Sequence, residues 1–270
     1  MAAECDVSIR PGWFYHPEED NRVKTVDQLT DLYYRSVGHN GTLLLNFPVD
    51  RNGLIHPTDS LNAVTFHQRV QKELADNLLS KAKVSASDER GGQFNVRALT
   101  DGQYDTYWAT NDSVMAADLT FTFEQPTKMN RVMIQEYIPL GQRVKSFVVK
   151  YKKGDQWLSV KCNEETTTVG YKRLLRFETI ETEQLRIRFT DARACLCINE
   201  AGAYYAPDAT ESYTSATSEL RSFPFTIVGV DEEEVKKCSD KDDQTTAFIP
   251  GKEIVIDLGE SCTLHSFYYL

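Results

Sequence analysis

The sequence predicts an α/β segment followed by an all-β segment, and three observations carry that reading. Residues 1–80 alternate short apolar strands with stretches whose apolar residues recur at helical spacing. From about residue 82 the period falls from 3.6 to 2, through Leu119, Phe121 and Phe123 and again through Leu185, Ile187 and Phe189. A run rich in Ser, Thr and Asp then precedes further strand-like stretches. These textures divide the chain into 1–80, 82–206, a linker at 207–221, and 222–270.

In the first segment "DVSIR" (Asp6–Arg10) reads as a short strand. Thr25–Val37 has helical spacing, with Val26, Leu29, Tyr33 and Val37 on one stripe. Thr25 and Gln28 form a capping box, and Gly38 stands at the C′ position. "TLLLN" (Thr42–Asn46) is a continuous apolar run, which is how a parallel strand buried on both faces reads. A second helix is expected from about Thr58, with Ala63, Phe66, Val70, Leu74 and Leu78 in register. Strand, helix, strand, helix gives βαβα with a parallel sheet. Two parallel strands leave their faces and edges open and are marginal alone. The segment therefore reads as the tail of a larger barrel or open α/β sheet whose beginning lies outside this chain. It is expected to dock only weakly on the all-β segment.

The second segment suits one β-sandwich. "SFVVKYKKGDQWLSV" is a hairpin signal, strand, Lys-Gly-Asp turn, strand, and many short strands are joined by polar turns. "FPFTIVGV", "EIVIDLG" and "TLHSFYYL" are strand-like again and read as the start of a second, truncated sandwich. The Glu-rich run Asp231–Lys237 reads as a solvated surface.

Composition narrows the function. The 270 residues are 41% hydrophobic and 26% charged, with a net charge of −10. That balance argues against nucleic acid or an anionic membrane surface as the partner, since both need clustered Lys and Arg. A neutral ligand such as a sugar is not opposed. No run approaches the ~18 apolar residues of a membrane span, and no signal peptide is read at the start. Six cysteines (Cys5, Cys162, Cys195, Cys197, Cys238, Cys262) are too scattered for a disulfide scaffold and lack zinc-ligand spacing. Most are expected to be buried thiols, Cys195 and Cys197 on one side of a strand.

"ECDVSIRPGWFYH" (Glu4–His16) and "SVGHNGTLLLNFPVDRNGLIHPTD" resemble the C-terminal portion of the catalytic (β/α)8-type barrel of retaining α-L-fucosidases, in the branch that prefers α-1,3 and α-1,4 linkages. "LTDGQYDTYWAT" and "IQEYIPLGQRVKSFVV" resemble the discoidin (coagulation-factor C-type) sandwich attached to those enzymes, and "EIVIDLGESCTLHSFYYL" the opening of a second such sandwich. The resemblance implies a fragment that lacks the N-terminal barrel half of the same protein. A retaining glycosidase needs two carboxyl groups about 5 Å apart. The family's nucleophile Asp lies on an earlier strand that nothing here matches, so Glu4 is carried over as acid/base and the isolated chain is expected to be inactive. Glu4 is drawn just before the strand, leaning into the site. Arg10, Trp13 and His16, and less strongly Tyr15, are substrate-binding candidates: Trp offers a flat apolar face to a sugar, while Arg and His donate to its hydroxyls.

For the sandwich, the resemblance implies a structural calcium held by Asp101, Thr106 and Glu200, with Asp105 a weaker ligand and no cofactor needed for catalysis. Calcium takes six to eight oxygens, and Gly102 allows a tight loop. Tyr104, Trp108, Asn111 and Arg143 are candidates for glycan contact, Trp108 reading more as core. The intact enzyme is expected in the periplasm or outside the cell, acting on a fucosylated oligosaccharide or glycan. The competing reading is a non-catalytic carbohydrate-binding module of discoidin type.

Overall fold

A computed structural model describes residues 3–206, 225–238, 245–251 and 254–259. The chain divides into two compact units, Met1–Tyr213 and Thr214–Leu270. The expected linker at 207–221 and the stretch "TLHSFYYL" lie outside the described residues.

The first unit begins with strand β1 (Ala3–Ser8), helix α1 (Val26–Ser36), strand β2 (Gly41–Asn46) and helix α2 (Pro57–Glu73). β1 and β2 pair in parallel from Ala3↔Gly41 to Ser8↔Asn46, and form a sheet of their own. Thr25 caps α1 as expected: its side chain accepts from Gln28 N, and Gln28 Oε1 accepts from Thr25 N at 2.9 Å. Gly38 matters for space and not for a left-handed backbone. A Cβ there would stand 2.4 Å from the Tyr34 carbonyl oxygen and 2.9 Å from Leu174 Cβ.

Two expectations need correction. "TLLLN" is not buried on both faces: Leu44 is 50% exposed and Leu43 and Leu45 are half-buried. A strand with one neighbour has too little structure around it to cover both sides. α2 ends at Glu73, with Leu74 as its C-cap, so Leu78 sits in a separate 3-10 turn (Leu78–Lys81).

The rest of the unit is one continuous hydrogen-bonded sheet folded over itself: β3 (Lys83–Ala86), β4 (Trp108–Ala109), β5 (Ala117–Glu136), β6 (Val144–Lys153), β7 (Gln156–Ser159), β8 (Arg173–Ala192) and β9 (Cys197–Tyr204). The order is β4-β9-β5-β8-β6-β7, with β3 also on β5. β5 and β8 are each 20 residues long and pair antiparallel along most of their length, with register breaks at Thr122/Thr127 and Met129/Arg131. Such irregularities bend a strand and increase its twist, which lets two strands serve both layers of a sandwich. The alternating residues fill the space between: Leu119, Phe121, Phe123, Leu185, Ile187 and Phe189 are all buried, around Trp108 and Phe147. The expected hairpin closes through Lys153↔Gln156 across Gly154, which has a φ of 57°.

The α/β segment, expected to dock weakly or stay mobile, meets this sandwich through a set of specific polar contacts. Leu174 N donates to Gly38 O at 2.8 Å, and Asn40 N to Lys172 O at 2.9 Å. Asn40 (φ 64°) accepts on Oδ1 from Tyr171 N at 2.6 Å. Asn77 donates to Ala201 O and accepts from Ala203 N. Tyr34 is buried at the junction; its hydroxyl donates to Glu73 at 2.7 Å and accepts from Arg131 Nε at 3.0 Å. The guanidinium of Arg176 lies 4.6 Å from the Tyr34 ring centroid. Polar partners of that kind, made by residues far apart in sequence, give no period from which sequence reading could find them.

In the second unit the described elements are β10 (Thr226–Ile227), antiparallel to β11 (Ile256–Asp257), and helix α3 (Glu232–Lys237). α3 carries the Glu-rich run and buries none of its residues, as expected of a solvated face.

Candidate functional site

The loop after β1 is built around one buried cation. Arg10 follows the strand end, where Ile9 N still donates to Asn46 O at 3.0 Å and keeps the chain in register. Its guanidinium donates Nε and Nη2 to Asp59 at 2.7 and 2.9 Å, and Nη1 to Asp20 at 2.8 Å and the His16 carbonyl at 3.4 Å. The Tyr15 ring lies 4.6 Å beneath it and stacks in turn on His56 at 6.3 Å. The hydrogen bond from Arg10 holds the Asp20 carboxyl below its ordinary pKa. Asn46 Nδ2 donates to the Trp13 carbonyl at 2.9 Å. The loop is thus fastened from beneath by β2 and the first turn of α2, while its apex, Trp13 at 47% and Phe14 at 75% exposed, faces solvent.

Of the five residues singled out around this loop (Glu4, Arg10, Trp13, Tyr15 and His16), the structure brings all but Glu4 together and gives them different jobs. Trp13 and His16 are exposed, and His16 stands at the N-cap position of the 3-10 turn Pro17–Glu19 without a side-chain hydrogen bond to it. Arg10, expected to donate to a sugar hydroxyl, is buried instead, and donates to Asp59, Asp20 and the His16 carbonyl of this chain. Glu4 lies inside β1, not before it, exposed and opposite Thr42. Four residues of extended strand, about 13 Å, separate it from Ser8 at the end that carries the loop. Groups that act in parallel α/β sheets gather at the C-terminal strand ends, and Glu4 is at the other end. Sequence reading missed Asp59, Asp20 and His56 as the partners that shape the loop. The one available signal was Asp59 in the first turn of a helix, a position whose facing partner no period reveals.

The second candidate lies at Asp101–Trp108. Gly102 (φ 69°) turns the loop, Asp101 Oδ1 accepts from Gln103 N at 2.8 Å, and Thr106 Oγ1 donates to Asp101 Oδ2 at 2.7 Å. Glu200, on β9, is half-buried, and burial with the negative charge of Asp101 pushes its pKa up to about 7, Lys172 acting the other way. Asp101, Thr106 and Glu200 therefore share one neighbourhood. Next to them Asn199, buried, donates to the Tyr104 carbonyl at 3.5 Å, while its Oδ1 has no partner among the described residues. Carboxylate, hydroxyl and amide oxygens are the ligand types that calcium takes; among the described residues no group of three or more His, Cys, Asp or Glu is gathered closely enough to hold a metal ion.

Among the glycan-contact candidates, Trp108 is fully buried and belongs to the core. Arg143 donates to the Cys195 carbonyl at 2.9 Å and to the sulfurs of Cys195 and Cys197 at 2.8 and 3.2 Å. Asn111 is held by Asp88. Tyr104 remains exposed, beside Tyr137 and Tyr171. Cys195 and Cys197 are buried on one side as expected, whereas Cys5 and Cys162 are half-buried and Cys238 is exposed; Cys262 lies outside the described residues.

Residues 83–200 match the F5/8 type C domain family. The chain is 38% identical over 210 residues to alpha-L-fucosidase 1 of Arabidopsis thaliana, a match that covers 76% of this chain and 40% of that protein. Its homologues are α-L-fucosidases. Among solved structures it is similar to the glycoside hydrolase 29 family fucosidase of Ruminococcus gnavus in complex with fucose, at 32% identity and a TM-score of 0.70, covering 76% of this chain and 41% of that one. A glycoside hydrolase 29 family member from a rumen bacterium matches at 33% identity and a TM-score of 0.64, over 79% and 34% of the two chains. The chain thus spans about two fifths of the length of the curated relatives it matches. The fold agrees at the coarse level: mostly β-sheet, with a discoidin-like sandwich where the F5/8 type C domain falls.

Proposed function

We propose that this chain is part of an α-L-fucosidase that removes terminal α-linked L-fucose from glycans with retention of configuration. The observation that carries the reading is the extent of the likeness. The 210 matched residues exceed the F5/8 type C span of 83–200, so the resemblance is to a fucosidase and not to a detached sugar-binding sandwich. In this reading β1, β2, α1 and α2 are the tail of a (β/α)8-type barrel, and residues 222–270 open a second, truncated sandwich. The site is periplasmic or extracellular.

The exposed Trp13 ring is an apolar platform for the C–H face of a sugar, and His16 a donor to its hydroxyls. Arg10 holds the His16 carbonyl and Asn46 the Trp13 carbonyl. Retention needs a nucleophile and an acid/base about 5 Å apart. Family resemblance puts the nucleophile Asp on a strand outside these residues, so the 270-residue chain alone turns over no fucoside. Glu4 is the acid/base carried over from that resemblance. In the sandwich Asp101, Thr106 and Glu200 hold calcium, which ties the loop after residue 100 to the last strand and takes no part in the chemistry.

The test is nitrophenol release from a nitrophenyl fucoside by this chain and by the same chain extended N-terminally to the length of its relatives. The extended protein should turn over, and Trp13→Ala should raise KM. Turnover by the 270-residue chain that Glu4→Gln abolishes would overturn the missing-nucleophile reading. No turnover by the extended protein would overturn the fucosidase reading itself.

A further inference from the structure

The outer face of the sandwich carries a charge pattern opposite to that of the chain. On β8, Arg186 and Arg188 alternate with the buried Leu185, Ile187 and Phe189, so both point away from the core. Lys150 on β6 is the cross-strand partner of Arg186, and Lys152, two residues on, is the partner of Trp157 on β7. The Arg186 guanidinium lies 3.9 Å from the Trp157 ring centroid. Four cations thus occupy neighbouring positions on two adjacent strands, with Trp157 on a third beside them, in a protein whose net charge is −10.

An acid meets them at one edge. Asp118 on β5 accepts from Arg188 Nε and Nη2 at 2.7 and 2.6 Å and lies 3.5 Å from Arg186 Nη1. Asp118 meets the near edge of the patch, and its pKa is held down by Arg188 first, with Arg186 and Lys150 adding to the effect. Lys150 and Lys152 have no ion-pair partner among the described residues. The positions between and beside the cations are Thr120, which accepts from Arg186 Nε at 3.2 Å, and Gln184, which donates to Thr122 at 3.1 Å. Hydroxyls and amides line the β5 side of the patch, and Val148 and Trp157 are its apolar members.

We infer that this face binds an anionic polysaccharide, one whose sugar residues bear carboxylate or sulfate groups. Arg186, held over the Trp157 ring, is pre-set for a planar or tetrahedral oxyanion. Strands about 4.8 Å apart repeat the cationic positions along a flat surface, which suits an extended chain bearing a charge on successive units. A duplex nucleic acid has a far denser charge, which a −10 protein repels at longer range. The preference for a glycan over other polyanions rests on the glycan-directed reading above; the charged face itself does not.

The test is native gel electrophoresis of the 270-residue chain through matrices containing dextran sulfate, polygalacturonate or neutral dextran. Retardation by either charged polymer and not by dextran is expected, and the two charged arms separate sulfate from carboxylate recognition. Lys150→Gln/Lys152→Gln should weaken binding on the order of three- to tenfold, the range of two exposed ion pairs. Its melting temperature should be unchanged, since neither ammonium has an ion-pair partner. Equal retardation of wild type and variant, or none in any matrix, would overturn the proposal. Equal or stronger retardation by double-stranded DNA would overturn the choice of a polysaccharide. None of these results depends on fucoside turnover, so the two readings fail separately.

Discussion

The Arg10 guanidinium meets the Asp59 carboxylate through two hydrogen bonds, 2.7 and 2.9 Å long, and neither side chain has any surface in contact with solvent. One residue follows β1 and the other starts α2, so the pair decides where the loop between them and its exposed Trp13 can stand. Removing one partner of such a pair strands a buried charge, which costs about 3–5 kcal/mol. Arg10→Met should destabilise the chain by about that much in urea unfolding. The double change Arg10→Met/Asp59→Leu should recover most of it, because replacing a buried pair by apolar groups is often neutral. A double variant as unstable as the single one would contradict this account.

Glu136 is the sandwich's counterpart. It is buried, and its Oε1 accepts from Arg143 N and Val144 N at 2.7 and 2.8 Å, while Oε2 accepts from Gly170 N at 2.6 Å. One carboxylate thus satisfies three backbone donors from two loops. Glu136→Gln keeps the shape but turns an acceptor into an NH2 facing a backbone N–H or pair of N–H groups. We expect a loss of about 2–3 kcal/mol, measured as a lower urea midpoint with unchanged slope.

Calcium should raise the melting temperature of this chain, and a chelator should reverse the rise. Bound ligand stabilises only the folded state, by an amount that grows with its concentration over Kd. Asp101→Asn should reduce the shift more than Asp105→Asn does, because Asp101 and not Asp105 is the carboxylate that acts on Glu200. An identical melting curve in calcium and in chelator would count against the site.

Acid should weaken the sandwich partly through Asp118. Its folded pKa is lowered by the hydrogen bond from Arg188, so the ionised form favours the fold. That contribution is present above the unfolded value of about 3.9 and is lost as pH falls through the lower folded value. Between about pH 4 and pH 2 the melting temperature of Asp118→Asn should therefore fall less steeply than that of the wild type. Parallel curves would rule out this residue as a source of acid sensitivity.

Gly38 tests the join between the two parts of the first unit. Gly38→Ala would force a Cβ against the Tyr34 carbonyl and Leu174 Cβ. It should cost about 1–3 kcal/mol, the range of an overpacked site, and should increase amide exchange in α1 and β2 together with Leu174.

Periodicity determined a good deal of this protein. Thr25 with Gln28 located the start of α1, and the alternation of Leu119, Phe121 and Phe123 with Leu185, Ile187 and Phe189 located the two strands that make the core. Those patterns are local, so physical chemistry repeats them every two or every 3.6 residues. The tertiary structure alone decided that Arg10 meets Asp59, that Tyr34 meets Arg131, and that Lys150 lies beside Arg186. Each pair is joined across 36 or more residues by polar contacts or strand pairing, and no repeat announces it. It also decided the place of Glu4, since one strand starting three residues earlier than expected moved an exposed carboxylate to the opposite end of the sheet from the loop it was meant to serve.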